Sequence, residues 1–346
     1  MPSKESVERI ADNIDRLIST DFSGRGIINK LYAHARAREG RSPTLVAAEK
    51  LKDALSEPGK VAVLITGFVC PYKLRGMPCV IGETDGPPGM VALARILAQS
   101  LRAIPVLVTE EVAVEAMSAC ARAAGLFVTD LESARTNMLE AKAGTTAVVL
   151  GFPMGDEPGR KTAKEMVEKL KPAAVVVSEK MGPNERGIVV SSSGTKLNDQ
   201  IRADFLIEEA RKRGAPAIGI GDGGNEMGMI LIKEGVYKDV PYGRDSRTGD
   251  GPMTPAVETD VILPSVVSNW GTHAIAACLL ALLDKPELLY TEELEARVLE
   301  RAAESGYIDA ASNMCEPAVD GLPLDVHTSF VKLLATIVKK GLIGWV

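Results

Sequence analysis

The chain has 346 residues, 46% of them hydrophobic, 25% charged and only 4% aromatic, with a net charge of −6. A mildly acidic balance without a basic stripe interleaved with aromatics argues against a nucleic-acid partner. The longest apolar stretch, 274–283, is too short to span a bilayer. The polar start Met1–Ser6 has no apolar signal segment, and five scattered cysteines (70, 79, 120, 278 and 315) read as reduced thiols, so a soluble, cytoplasmic protein is expected.

Val7, Ile10, Ile14, Leu17 and Ile18 recur at helical spacing over 5–19, and a second helical stretch runs over about 43–56 before Pro58-Gly59. Residues 1–58 therefore read as a helical lead-in and 59–346 as the main domain. The pattern then changes: Val61–Thr66 is a continuous apolar run, as expected of a strand buried on both faces. A long loop follows, then a helix from Pro87-Pro88 to about Arg102. Pro105–Thr109, Leu126–Val128, Thr145–Leu150 and Ala173–Val177 continue the strand pattern with helices between them. A helix over about 198–213 leads to a strand at Ala215–Ile220, a glycine-rich turn, and a segment that reads as a further helix. Thr259–Leu263 is one more strand, and helices at about 271–284, 291–305 and 327–340 close the chain. Strands alternating with helices in this way predict an α/β fold: a mostly parallel open sheet with helices on both faces, Rossmann-like and three-layered. The polar stretch 240–255 reads as a loop that could serve as a lid.

The turn Gly219–Gly228 formally fits G-x-G-x-x-G, a dinucleotide-binding fingerprint. Yet Asp222 sits inside it, and Asn225 and Glu226 follow. Carboxylates there would repel a pyrophosphate and suit a cation, either a metal ion or a substrate ammonium. A dinucleotide site also needs a strand soon afterwards that ends in an acidic residue about twenty positions on; the loop around Arg244-Asp245 stands there instead.

Three further strands carry polar groups beyond their carboxyl ends, the edge where open α/β sheets bind ligands. Thr66 is followed by Gly67 and, past the loop, by Glu83-Thr84-Asp85-Gly86-Pro87-Pro88-Gly89; Val177 by Glu179-Lys180; Leu263 by Ser265, Ser268, Asn269 and Trp270. Together with Asp222, Asn225 and Glu226 these make an acidic pocket with at least one cation. Plainer readings exist for each. Asp85 could N-cap the helix that follows it, Glu179-Lys180 could be a solvated pair, Asn225 or Glu226 could complement a helix start, and Ser268–Gly271 could be a capped helix start with Trp270 in the core. His34 and His273 read as packed or surface residues.

With these motifs the chain resembles the D-glutamate cyclase family, specifically its C-terminal domain. Gly24-Arg-Gly-Ile27, Thr66-Gly-Phe68 with Glu83–Gly89, Gly219–Gly228, Val267-Ser-Asn-Trp-Gly271 and Val319-Asp-Gly-Leu-Pro323 carry the likeness, in family order, from about residue 24 to 335. The stretch Val69–Gly82 looks longer here than in the members it most resembles. Larger members also carry a hydro-lyase-like domain that these residues do not include.

The resemblance implies a lyase that cyclises D-glutamate to 5-oxo-D-proline with loss of water. Asp222 or Glu226 would hold and deprotonate the substrate ammonium, and Glu83 or Asp85 would be the protonated partner. Lys180 with Arg186 would bind a substrate carboxylate, which Asn225 and Asn269 would orient. Thr66, Gly67, Glu179, Gly221, Gly223, Gly224 and Ser268 would line the same pocket. Glu83, Asp85 and Asp222 could alternatively bind Mg²⁺ or Mn²⁺ through oxygen. The expected partner is a small acidic amino acid, with no nucleic acid and no membrane, and a homo-oligomer is left open. The alternatives are an amino-acid-binding sensor without turnover and, further off, a dinucleotide-dependent enzyme.

Overall fold

In the computed structural model, residues 2–74, 77–140, 145–198 and 200–343 are described, the side chains of 70–74 and 77–81 excepted. Three helices, α1 (Lys4–Ile18), α2 (Ile28–Glu39) and α3 (Pro43–Ala54), precede the first strand, β1 (Val61–Thr66). Ser3 and Ser42 cap α1 and α3 by accepting from the backbone N–H groups of Ser6 and Leu45. Helix α2 has no counterpart among the helices expected from the sequence. It is dense in charge and buries only Ile28, Leu31 and Ala35, too narrow a stripe to read as a period.

The stretch 67–82, expected as a loop, forms an antiparallel hairpin of β2 (Val69–Leu74) and β3 (Met77–Gly82). Pro71 and Pro78 obscure the strand pattern, but prolines are tolerated in a two-stranded ribbon that has free edges. Then come α4 (Pro87–Leu101), β4 (Ile104–Glu110), α5 (Val114–Ala123), β5 (Phe127–Val128), α6 (Leu131–Leu139), β6 (Thr146–Phe152), α7 (Asp156–Leu170) and β7 (Ala174–Ser178). A small ribbon, β8 (Val189–Val190) with β9 (Lys196–Leu197), precedes α8 (Asp204–Lys212). That helix starts later than expected because Ile201 is held extended by a bridge to Met154. After β10 (Ala217–Gly221) the expected helix is only a 3₁₀ turn at Met229–Ile232 and a short α9 (Lys233–Asp239). The chain closes with β11 (Val261–Pro264), α10 (Ser268–Leu283), α11 (Glu292–Glu304) and α12 (Leu324–Ile343).

Seven strands form one parallel sheet in the order β11-β10-β7-β1-β4-β6-β5, with helices on both faces. Every residue of β1, β4, β7, β10 and β11 is buried, which is why these strands are apolar almost without alternation. Helix α10 is buried nearly all round, packed between the sheet and α1, α3, α4 and α12. Gly271 lets it lie directly on β10, since a Cβ there would come within 2.5 Å of Ile220 Cγ2. Trp270 stacks on Phe330 with ring centroids 4.1 Å apart and donates through Nε1 to His327 Nδ1 at 3.0 Å. Large side chains buried this way each contribute about 1.5–3 kcal/mol. The apolar residues of α1 and α3 belong to the same core as the sheet. No helix among the described residues is long and apolar enough to cross a membrane.

Candidate functional site

Chain order and sheet order part company at the centre: from β1 the sheet grows one way through β4 and the other way through β7. The crevice between the carboxyl ends of β1 and β7 is thus a topological switch point, where a ligand meets loops rather than a covering helix. Thr66 pairs with Ser178, which pairs with Ile220, and Gly221 pairs with Pro264. This register brings the four polar loops together.

Two of those loops are stitched by reciprocal caps. A helix begins with N–H groups that have no partner of their own. Asp85 accepts from Ser268 N and Asn269 N, both at 2.8 Å, and from Gly86 N at 3.0 Å. It caps α10, not the α4 that follows it. In return Asn269 Oδ1 accepts from Gly86 N at 2.9 Å and Gly89 N at 2.8 Å at the start of α4, while Nδ2 donates to Thr84 O. Gly89 is required by closeness: a Cβ there would sit 2.5 Å from Asn269 Cα. Burial, then the charge of Asp222, pushes the Asp85 pKa up to about 7, opposed by the N–H groups.

The glycine turn is filled by its own sequence. Glu226 Oε1 accepts from Asp222 N at 3.1 Å and Gly223 N at 2.7 Å, and Oε2 from Gly224 N at 2.8 Å. These are the N–H groups that would cradle a phosphate, so no nest remains for a dinucleotide. Gly221 is needed because a Cβ there would meet the Glu226 side chain at 2.6 Å. The bend back toward the turn also explains the missing helix, as Glu226 bridges to Met181 instead of starting one. Burial and then the neighbouring Asp222 raise the Glu226 pKa to about 8. Asn225, buried, donates to Val190 O at 3.3 Å.

The remaining groups divide into paired and unpaired. Lys180 is buried with its ammonium on Glu110 and the Gly67 carbonyl. Glu179, in the left-handed region at φ 45°, accepts from Ser268 Oγ at 2.6 Å. Burial, followed by the charges of Asp222 and Glu226, lifts its pKa well above the ordinary carboxylate value. Such backbone strain in a bulky residue is characteristic of functional sites. Asp222 is ion-paired with Arg25, which reaches it from the turn between α1 and α2. The pair raises the pKa of Arg25.

Glu83 is buried, and its Oε1 has no hydrogen-bond partner among the described residues; the same holds for Thr66 Oγ1, Ser178 Oγ and Asp320 Oδ2. Burial, then the charges of Asp320, Asp85 and Asp222, raises the Glu83 pKa well above normal. Burial does the same to Asp320, also left-handed at φ 54°. Arg186 stands apart: it is exposed and donates to Gly249 O at 3.2 Å. The 240–255 loop packs over the glycine turn through the buried Met253 and is tied down by Asn184 Nδ2, which donates to Asp250 O and Pro252 O.

Carboxylate oxygens of Asp85, Asp222 and Asp320, and separately of Glu179, Asp222 and Glu226, lie within 4.8 Å of one another. An all-oxygen set of this kind suits a hard divalent cation. Glu83, expected among the ligands, belongs to neither group. Three site residues escaped the sequence reading. Arg25 stood in a quoted motif without a role, signalled only by its flanking glycines; Asp320 stood in Val319-Asp-Gly-Leu-Pro323; Glu110 ends β4 with no local signal.

The family model for the D-glutamate cyclase-like C-terminal domain matches residues 14–335. The chain belongs to the D-glutamate cyclase-like family. Of the curated relatives, the human protein named "D-glutamate cyclase, mitochondrial" is 28% identical over 237 residues, which is 67% of this chain and 34% of that protein. The chain thus spans about a third of that relative's length. The family match takes in all four sheet-edge loops, Arg25 and Asp320, so the cluster lies wholly inside the domain that defines the D-glutamate cyclase-like family.

Proposed function

We propose that this protein is a lyase that closes D-glutamate on itself to give 5-oxo-D-proline and water. The observation that carries the reading is a pair of carboxyl groups in contrasting surroundings within one cluster. Asp222 faces a guanidinium at the rim. Glu83 is buried, with an Oε1 that no other described residue uses. A buried acid whose pKa is raised by burial and a carboxylate held against a cation suit the roles of acid and base.

In the ring closure the amine nitrogen attacks the side-chain carboxyl carbon. A C–N bond forms, the C–OH bond of the resulting tetrahedral centre breaks, and two protons pass from the ammonium to the departing oxygen. Asp222 receives the proton from nitrogen, and protonated Glu83 delivers one to the leaving hydroxyl. Binding that holds the amine and carboxyl of the one molecule together would supply much of the rate in an intramolecular closure. Mg²⁺ or Mn²⁺, where bound, would be held by Asp85, Asp222 and Asp320 and would supply positive charge beside the developing oxyanion.

A second reading, an amino-acid-binding protein without turnover, is favoured by one observation. The hydrogen-bonding capacity of Asp85, Glu226 and Lys180 is committed to the chain's own groups. The experiment is incubation of the purified protein with D- and L-glutamate, with and without Mg²⁺, Mn²⁺ or EDTA, followed by assay of 5-oxoproline. Product from D-glutamate supports the cyclase. No product under any condition, with D-glutamate still raising the melting temperature, supports the binding protein.

A further inference from the structure

Arg25 stands on a short strap, residues 19–27, that leaves the end of α1 and enters α2. The strap is pinned at its base, where Phe22 meets the edge of Trp270 at 5.5 Å between centroids and Asp21 accepts from Gly26 N at 2.6 Å and Ser23 Oγ at 2.7 Å. Its tip is loosely packed: Gly24 and Gly26 flank Arg25 with φ near 70°, and beyond their chain neighbours no heavy atom of the described residues lies within 4 Å of a Cβ built on either. Arg25 keeps 38% of its side chain exposed and Asp222 keeps 10%, so solvent reaches the pair. Lys180, by contrast, is sealed on Glu110 with both side chains almost wholly buried.

We infer that the Arg25–Asp222 pair is exchangeable, and that it opens to receive the α-ammonium on Asp222 and the α-carboxylate on Arg25 of a free amino acid. Three observations carry this. The carboxyl groups of Asp85 and Glu226 are filled by backbone N–H groups, and Lys180 is filled by Glu110. Among these groups only Arg25 and Asp222 offer one positive and one negative charge at an accessible rim. The ammonium and the α-carboxylate cancel, so glutamate adds charge to the cluster of Glu83, Glu179 and Asp320 only through its distal carboxyl. A dicarboxylate lacking the ammonium would add two negative charges to the same cluster. The inference deepens the cyclase reading, resting on it for the choice of glutamate as ligand, and it makes Arg25 a specificity residue.

The test is calorimetric binding to the full chain of four probes: D-glutamate, N-acetyl-D-glutamate, the α-amide of D-glutamate, and glutarate. Charged hydrogen-bonded contacts of this kind correspond to about 10- to 100-fold in affinity. D-Glutamate is expected to bind at least about 10-fold more tightly than the other three. In Arg25→Gln the preference of D-glutamate over its α-amide should collapse, and Arg25→Lys should restore part of it; a merely structural role for Arg25 would weaken all four probes alike. Melting temperatures of both variants check that they fold. Equal binding of D-glutamate, its α-amide and its N-acetyl form by the wild type overturns the inference, as does binding of no free amino acid. If the pattern holds but no 5-oxoproline forms, or a different free amino acid is preferred, the inference stands and the cyclase reading falls.

Discussion

The loop entering α4 and the turn after β10 are built alike, yet they differ in what their second carboxyl group meets. Each spends one carboxylate on three backbone N–H groups: Asp85 in the first, Glu226 in the second. Each then presents another acid to the shared crevice. In the turn after β10 this is Asp222, at the rim and paired with Arg25. In the loop before α4 it is Glu83, buried and with Oε1 unpartnered among the described residues. Some carboxyl groups here are thus taken up in holding backbone while others accept from no described backbone N–H group, and counting hydrogen bonds separates the two.

The strongest challenge to this comparison is to remove a backbone-holding carboxylate. Glu226→Ala strands three buried N–H groups, and an unsatisfied buried group costs about 1–3 kcal/mol. A loss of about 3 kcal/mol or more is expected by urea denaturation, and a loss below about 1 kcal/mol would mean that the turn does not need Glu226. Asn269→Ala exposes the N–H groups of Gly86 and Gly89 at the start of α4. It should cost about 1–2 kcal/mol in the same measurement, as helix-cap removal does. Glu83→Gln should do the opposite: it copies the shape of a protonated acid at a site that holds nothing else up. Its stability should stay within about 0.5 kcal/mol of wild type near pH 4 and below, and should exceed wild type toward neutral pH, where the unfolded wild-type chain gains by releasing the proton.

Burial leads in raising the pKa values of Glu83, Glu179 and Asp320, and it lifts Asp85 to about 7 and Glu226 to about 8. The folded chain therefore keeps protons that the unfolded chain has released above its ordinary carboxyl pKa of about 4. This contribution to stability is complete below about pH 4 and is lost as pH rises through the folded values. Urea midpoints should fall from pH 5 to pH 8, and Glu83→Gln should flatten part of that slope. An unchanged slope in the variant would mean that Glu83 is not protonated in the fold.

The fold was legible because its central strands are buried on both faces and so read as unbroken apolar runs, such as Val61–Thr66 and Ala173–Val177. Four polar clusters beyond strand ends were visible for the same reason, since polar residues stand out after such runs. What stayed hidden depends on contacts distant in sequence. Asp85 could be read as a cap, but its helix begins 183 residues later. Lys180 could be read as a free cation because Glu110, 70 residues away, ends a strand that carries no motif. Arg25 meets Asp222 across 197 residues. The helix expected after the glycine turn fails for a more local reason: Glu226 bends back to fill N–H groups two to four residues before it. Charge patterning showed that a phosphate does not belong in that turn, but not that a side chain already occupies it.

The central claim is that Asp222 and Glu83 are the base and acid of one ring closure. Its most direct test is single-turnover formation of 5-oxoproline from D-glutamate by wild type, Asp222→Asn and Glu83→Gln, with melting temperatures measured alongside. Product is expected from the wild type, with a loss of at least about 100-fold in each variant and no fall in the melting temperature of Glu83→Gln. Wild-type rates in either folded variant would contradict it.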